Sequence, residues 1–162
     1  MCDQCKAASQ QQIEKAFPAQ ERLAKGAVAV IECFQRIPCN PCYAACKRKA
    51  IKEFDDINDL PVIDHDVCNG CGMCIAKCPG LAIMVVHAQY NADEALIKIP
   101  YEFIPLPEKG QSVKGLDREG KYVCDVIVRD VLNSKVLDKT PIISFSVQKK
   151  YMKIVRNISV EP

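Results

Sequence analysis

With 162 residues and 49% apolar content, the chain is long enough for one compact domain or two small ones, and it is too apolar for a wholly disordered protein. Its 22 Lys and Arg against 20 Asp and Glu leave a formal charge of +2, which gives no global electrostatic reason to expect nucleic acid or an anionic membrane as partner. Cysteine is the unusual component, 11 in all, with eight between Cys33 and Cys78. Residues 1–20 lack the basic start and apolar core of a secretory signal, so a cytoplasmic, reducing setting is expected and the thiols point to metal rather than to disulfides. The longest apolar stretches, such as Leu81 to Val86, fall far short of the roughly 20 residues of a membrane span, so none is expected.

Along the chain, Ile13, Phe17 and Leu23 recur at loosely helical spacing and predict a helix from Ser9 to Lys25, bent near Pro18 and without a convincing cap. From Gly26 the run AVAVIE is β-branched and predicts a short strand that delivers Cys33. Between residues 33 and 83 the chain repeats at a spacing of 32: CNPCYAACKRKAI, starting at Cys39, returns as CGMCIAKCPGLAI, starting at Cys71. The preceding strands correspond too, VIE before Cys33 and VID before Cys68, so two halves of one pseudosymmetric unit are implied.

After residue 84 the texture becomes β, in ALIKI, YEFI, SVKGL, KYVCDVIV and PIISFSV, with turn signals such as Asp117-Arg118-Glu119-Gly120 between them. SVKGL and KYVCDVIV read as a hairpin whose alternation puts Val113, Tyr122, Cys124 and Val126 on a candidate buried face. The expected organisation is an N-terminal helical segment over 1–25, a cysteine domain over 26–88 and a small β-rich domain over 89–162.

The most specific signal is Cys68-x2-Cys71-x2-Cys74-x3-Cys78-Pro79, the spacing of the bacterial ferredoxin run C-x2-C-x2-C-x3-C-P. Three thiolates two residues apart can wrap one face of a cubane, while the fourth, which Pro79 is expected to launch onto a helix, ligates a second cluster. The first half supplies the partner as Cys33-x5-Cys39-x2-Cys42-x3-Cys46, with Lys47 where the second motif has proline. The expected ligand sets are Cys33, Cys39, Cys42 and Cys78 for one cluster and Cys68, Cys71, Cys74 and Cys46 for the other, giving two [4Fe-4S] clusters and no three-iron one. Two C-x2-C pairs could instead hold zinc, but zinc has no use for a C-x2-C-x2-C triple with a repeated partner.

Cys2 and Cys5 form a further C-x2-C pair that reads as incidental thiols or as extra ligands, and Cys124 reads as a small strand hydrophobe. His65 and His87 flank the second motif, where lone histidines are ordinary, and the basic stretch Lys47, Arg48, Lys49 and Lys52 reads first as a solvated face and second as a dock for an acidic redox partner. No activated nucleophile, acid-base pair or phosphate loop is present, so the chain is expected to move electrons rather than to catalyse substrate chemistry.

Residues 28–85, with these eight cysteines and the endings CKRKAI and CPGLAI, resemble a two-cluster bacterial ferredoxin. That resemblance implies an α+β architecture, a ferredoxin-like pseudo-twofold βαββαβ cluster domain, here followed by the mainly-β C-terminal domain. More narrowly, AVAVIECFQRIPCNPCYAACKRKAI and PYEFIPLPEKGQSV resemble the small ferredoxin-like subunits of FAD-dependent dehydrogenases of the proline, hydroxyproline, opine and cyanide-synthase kind. This implies a non-catalytic relay in a hetero-oligomer. FAD on a flavoprotein subunit would oxidise an amino acid or secondary amine, and the β-rich domain would dock. A freestanding ferredoxin with an added domain, or a protein whose clusters are structural or redox-sensing, are the competing readings.

Overall fold

The computed structural model describes residues 7–160, so Cys2 and Cys5 lie outside the described part. Helix α1, Gln10–Ala16, opens with a capping box that the sequence reading passed over: the Ser9 hydroxyl accepts from the Gln12 N–H at 3.3 Å, and the Gln12 side-chain oxygen accepts from the Ser9 N–H at 2.8 Å. The expected single bent helix is two. Phe17, which precedes Pro18, is extended as a pre-proline residue prefers, and α2, Gln20–Leu23, starts afresh beyond it. Ile13, Phe17 and Leu23 all reach the core.

Among the described residues seven strands form one antiparallel sheet: β1 Val28–Ile31, β2 Ile83–His87, β3 Glu94–Pro100, β4 Ser112–Leu116, β5 Tyr122–Leu132, β6 Ile142–Gln148 and β7 Asn157–Ser159. Their spatial order is β1-β2-β3-β6-β5-β4-β7, which leaves β1 and β7 at the edges. The ladder runs from β2 into β3 through Val85↔Lys98, Val86↔Ile97 and His87↔Leu96, so the sheet passes unbroken across residues 88 and 89. YEFI is not a strand. β3 stops at Pro100, and Pro105 and Pro107 cannot donate to a ladder. Among the described residues no helix is long and apolar enough to cross a membrane.

Strands β1 and β2 are buried on both faces, which is why their sequences are continuously apolar instead of alternating. Val28, Val30, Met84 and Val86 join the main core with Ile97, Val128, Phe145 and the N-terminal helices. Ala29, Ile31, Ile83 and Val85 face the other way, into a second core shared with Cys42, Ile51, Cys74 and Ile75. Further along the sheet that second face turns polar: the Ser146 hydroxyl donates to Glu94 at 2.9 Å and Arg129 Nε donates to Ser146 Oγ at 2.9 Å.

In the β4–β5 hairpin Val113 and Val126 are buried and Cys124 is half-buried against the main core. Tyr122 departs from its expected place: it stands at the turn end of β5, 57% exposed, and its hydroxyl meets Asp125 at 3.2 Å. Opposite Cys124 the strand needs Gly115, because a Cβ there would lie 2.9 Å from both the Cys124 carbonyl oxygen and Val126 Cγ1.

The molecule is mostly β, and the expected α+β cluster unit is only partly regular. Its outer strands are β1 and β2, its first helix is α3, Pro41–Ala45, and its middle strands shrink to one bridge, Ile51↔Ile63. The second helix is replaced by turns over residues 73–77. Pro79 launches no helix, since Leu81, at φ 50°, turns the chain back toward β2 immediately after it.

Candidate metal centre

The 32-residue repeat recurs as geometry. Ile31 pairs with Ile83 and Ile63 pairs with Ile51, two bridges related by the same 32-residue shift. Beside them the Glu32 N–H donates to the Ala82 carbonyl and the Asp64 N–H to the Ala50 carbonyl, each at 2.8 Å. Lys49 and Leu81, three residues beyond Cys46 and Cys78, both take left-handed φ, 54° and 50°. Each half thus lays the end of its strand against the turn that follows the other half's last cysteine.

That crossing sorts the thiols into two hollows. One, of about 380 Å³ including space open to solvent, is lined by Cys33, Cys39, Cys42 and Cys78 among Ile31, Ile37, Phe54 and Ile83. The other, of about 330 Å³ on the same measure, is lined by Cys46, Cys68, Cys71 and Cys74 among Ala29, Ile51 and Ile63. Burial, and then neighbouring sulfurs, push the thiols up: Cys42 to about 11, Cys74 to about 12, and Cys33 upward by burial first and Cys78 second. Such buried thiols ionise readily only when positive charge arrives with a metal.

Backbone donors already face the sulfurs. The N–H groups of Ala29 and Gly70 lie 3.4 and 3.5 Å from Cys68 Sγ, and that of Ala82 lies 3.4 Å from Cys78 Sγ. Gly70, at φ 67°, sits so close to the start of β1 that a Cβ would lie 2.6 Å from the Ala27 carbonyl carbon. Among the described residues no three His, Cys, Asp or Glu side chains gather tightly enough for a single ion. Four thiolates on one zinc would sit about 2.3 Å from a common centre, whereas a [4Fe-4S] cluster would take one thiolate on each of its four irons, so its cysteine sulfurs are spread around a larger volume. The donor set, the apolar walls and the N–H groups directed at sulfur all fit such a group.

Three charged clusters border the hollows, and sequence reasoning passed over the first two. Arg22, on α2, is buried and donates to four carbonyls: His65 and Cys68 at 2.5 Å, Ala27 at 3.1 Å and Gly26 at 3.2 Å. Glu32, next to Cys33, is buried between Arg118 and Arg156. These partners lie 86 and 124 residues away along the chain, a separation that leaves no local pattern to read. At the surface, Lys52 pairs with Asp64 at 3.2 Å, while Lys47, Arg48 and Lys49 stay exposed.

His65 is half-buried with its Nε2 unpartnered, and burial first, then Arg22, lowers its pKa. His87 lies at the end of β2 with its ring edge-on to Tyr90.

Residues 61–84, which hold Cys68 through Cys78, match the family described as 4Fe-4S binding domain. The chain is 34% identical over 58 residues to the ferredoxin-type protein NapF of Haemophilus influenzae, a match covering 35% of this chain and 33% of that protein. It is 40% identical over 53 residues to the pyruvate synthase subunit PorD of Methanocaldococcus jannaschii, covering 33% of this chain and 59% of that one. The chain therefore spans less than two thirds of either relative's length. No solved structure matches it. The chain carries an iron-sulfur, 4Fe-4S domain of the ferredoxin type.

Proposed function

We propose that this chain is the electron-transfer subunit of a hetero-oligomeric oxidoreductase and holds two [4Fe-4S] clusters, one on Cys33, Cys39, Cys42 and Cys78, the other on Cys46, Cys68, Cys71 and Cys74. The observation that carries the reading is the crossed sorting of thiols, in which each hollow takes three sulfurs from one motif and the fourth from the other. A pseudo-twofold βαββαβ unit accounts for that sorting, with its inner elements shortened here to a bridge and turns. A bound [4Fe-4S] cluster takes up and gives back one electron, at a potential within roughly −700 to +450 mV.

The chain's own residues do the rest. The cysteines hold the group, Ile31, Ile83, Ile51 and Ile63 keep water from it, and the N–H groups of Ala29, Gly70 and Ala82 stabilise negative charge on sulfur.

The donor is a flavoprotein dehydrogenase whose FAD oxidises an amino acid or secondary amine, a reading supported by the resemblance of residues 27–51 and 100–113 to subunits of such enzymes. Two neighbouring one-electron centres suit a two-electron flavin that must discharge in single steps. A relative named as a subunit of pyruvate synthase favours a fixed place in an assembly, in which residues 89–162 would be the docking part.

Anaerobic affinity purification of the tagged chain tests this. About eight irons and eight sulfides are expected per chain, together with a co-purifying subunit that contains flavin. A colourless or zinc-loaded protein overturns the cluster assignment, and a chain that purifies with full iron but no flavoprotein is a freestanding carrier.

A further inference from the structure

Glu32 lies just beyond β1, one residue before Cys33, and its side chain is almost fully buried. Arg118, from the β4–β5 turn, places Nη2 2.5 Å from its Oε1 and Nε 3.1 Å from its Oε2. Arg156, from the segment before β7, places Nε 3.2 Å from the same Oε2. Arg156 also donates through Nη2 to the Leu81 carbonyl at 2.8 Å, while the Leu81 N–H donates to the Cys78 carbonyl at 3.1 Å and the Ala82 N–H to Cys78 Sγ at 3.4 Å. Arg118 is anchored on the carbonyls of Lys153 and Ile154 at 2.8 and 3.2 Å. The sheet beyond residue 89 therefore reaches back to grip both the start of one cysteine motif and the turn that ends the other.

Two guanidinium groups share one carboxylate, so the triad carries one uncompensated positive charge, and no other ion pair to either arginine exists among the described residues. A buried excess charge is expensive unless an anion lies near, and the hollow of Cys33, Cys39, Cys42 and Cys78, which Arg156 approaches through Leu81 and Ala82, is where a thiolate-held group would supply one. The matching place in the repeat differs: Asp64 stands where Glu32 stands, and among the described residues its ion pair is with the exposed Lys52.

We infer that Arg118 and Arg156 are positioning residues that raise the reduction potential of the cluster on Cys33, Cys39, Cys42 and Cys78 relative to what its ligands alone would set. This rests on the ligand sets proposed above. Reduction adds one negative charge and makes or breaks no bond, so a fixed positive charge in a poorly solvated setting stabilises the reduced form. Arg156 responds to the same neighbourhood: burial and, less strongly, Arg118 lower its pKa, and Glu32 and then Cys78 oppose that fall.

The test is an EPR-monitored redox titration of the anaerobically purified full chain, with the two clusters told apart by a Cys71→Ser variant that disturbs one of them. Arg156→Met is expected to shift the potential of the Cys33/Cys78 cluster downward, Glu32→Gln to shift it upward, and the double variant to return it toward the native value, with the other cluster moving less in every case. Opposite shifts on opposite charge changes are not what a purely structural role produces. If Arg156→Met fails to retain iron, Glu32→Gln decides alone, and an unchanged or lowered potential overturns the inference. Equal movement of both clusters, or no movement at full iron content, overturns it while leaving the ligand sets standing; a native protein without two clusters removes both.

Discussion

At Gly70 the absence of a single methyl group decides how closely the Cys68 loop approaches the sheet. Gly70 and Gly120 share a left-handed φ, 67° and 79°, but a Cβ at Gly120 meets nothing within 4 Å, while one at Gly70 meets Ala27 at 2.6 Å. Alanine at either position costs about 1–2 kcal/mol for the backbone conformation. Gly70→Ala adds displacement of β1 from the loop, so its denaturation midpoint should fall well below that of Gly120→Ala, and its iron should be lost sooner to a chelator. The neighbouring His65 bears on pH. Burial holds its imidazole neutral in the folded chain, whereas in the unfolded chain it takes up a proton near pH 6.5. Its contribution is therefore present above about pH 6.5 and is lost as the pH falls through that value toward the folded pKa. Between pH 7.5 and 5.5 the native protein should lose more unfolding free energy than His65→Gln, and parallel losses in the two would refute this.

Elements show which parts of the site could be read from sequence. The cysteine spacings and the 32-residue shift are local facts, and both recur as paired bridges and paired left-handed turns. The cap of α1 was equally local, a Ser9-x-x-Gln12 pair that sequence alone was enough to find. The helix that Pro79 was expected to launch does not form, because the left-handed Leu81 turns the chain back toward β2 at once. The role of α2 was not readable at all: it is a single helical turn, and its contribution is Arg22, whose partners lie as far as 46 residues ahead. Arg22→Lys loses the planar fork that serves four carbonyls at once. It should destabilise by about 1–3 kcal/mol as buried acceptors go unpaired, whereas Arg36→Lys, in an exposed pair with Asp59, should change stability by about 0–1 kcal/mol. Guanidinium unfolding of the two variants side by side checks this, and equal midpoints would mean that Arg22 is no staple.

For the whole molecule the question is whether the cluster unit can stand without the rest. Composition along the chain changes at residue 84, and a division near residues 88 and 89 follows from it, but hydrogen bonding between strands does not appear in composition. β2 pairs with β1 on one side and β3 on the other, and Val28, Val30, Met84 and Val86 pack into a core completed by Ile97, Val128 and Phe145 from the later strands. Removing everything after residue 92 would strip β2 of one ladder and expose that apolar face, and Glu32 would lose both Arg118 and Arg156. An uncovered apolar face of this kind drives association. A chain ending at residue 92 is therefore expected to aggregate, or to retain far less iron than the full chain when both are reconstituted under the same anaerobic conditions. If the short chain instead stays monomeric with two intact clusters, the later strands are dispensable for assembly, and their contact with Glu32 acts only on the electronic properties of the site.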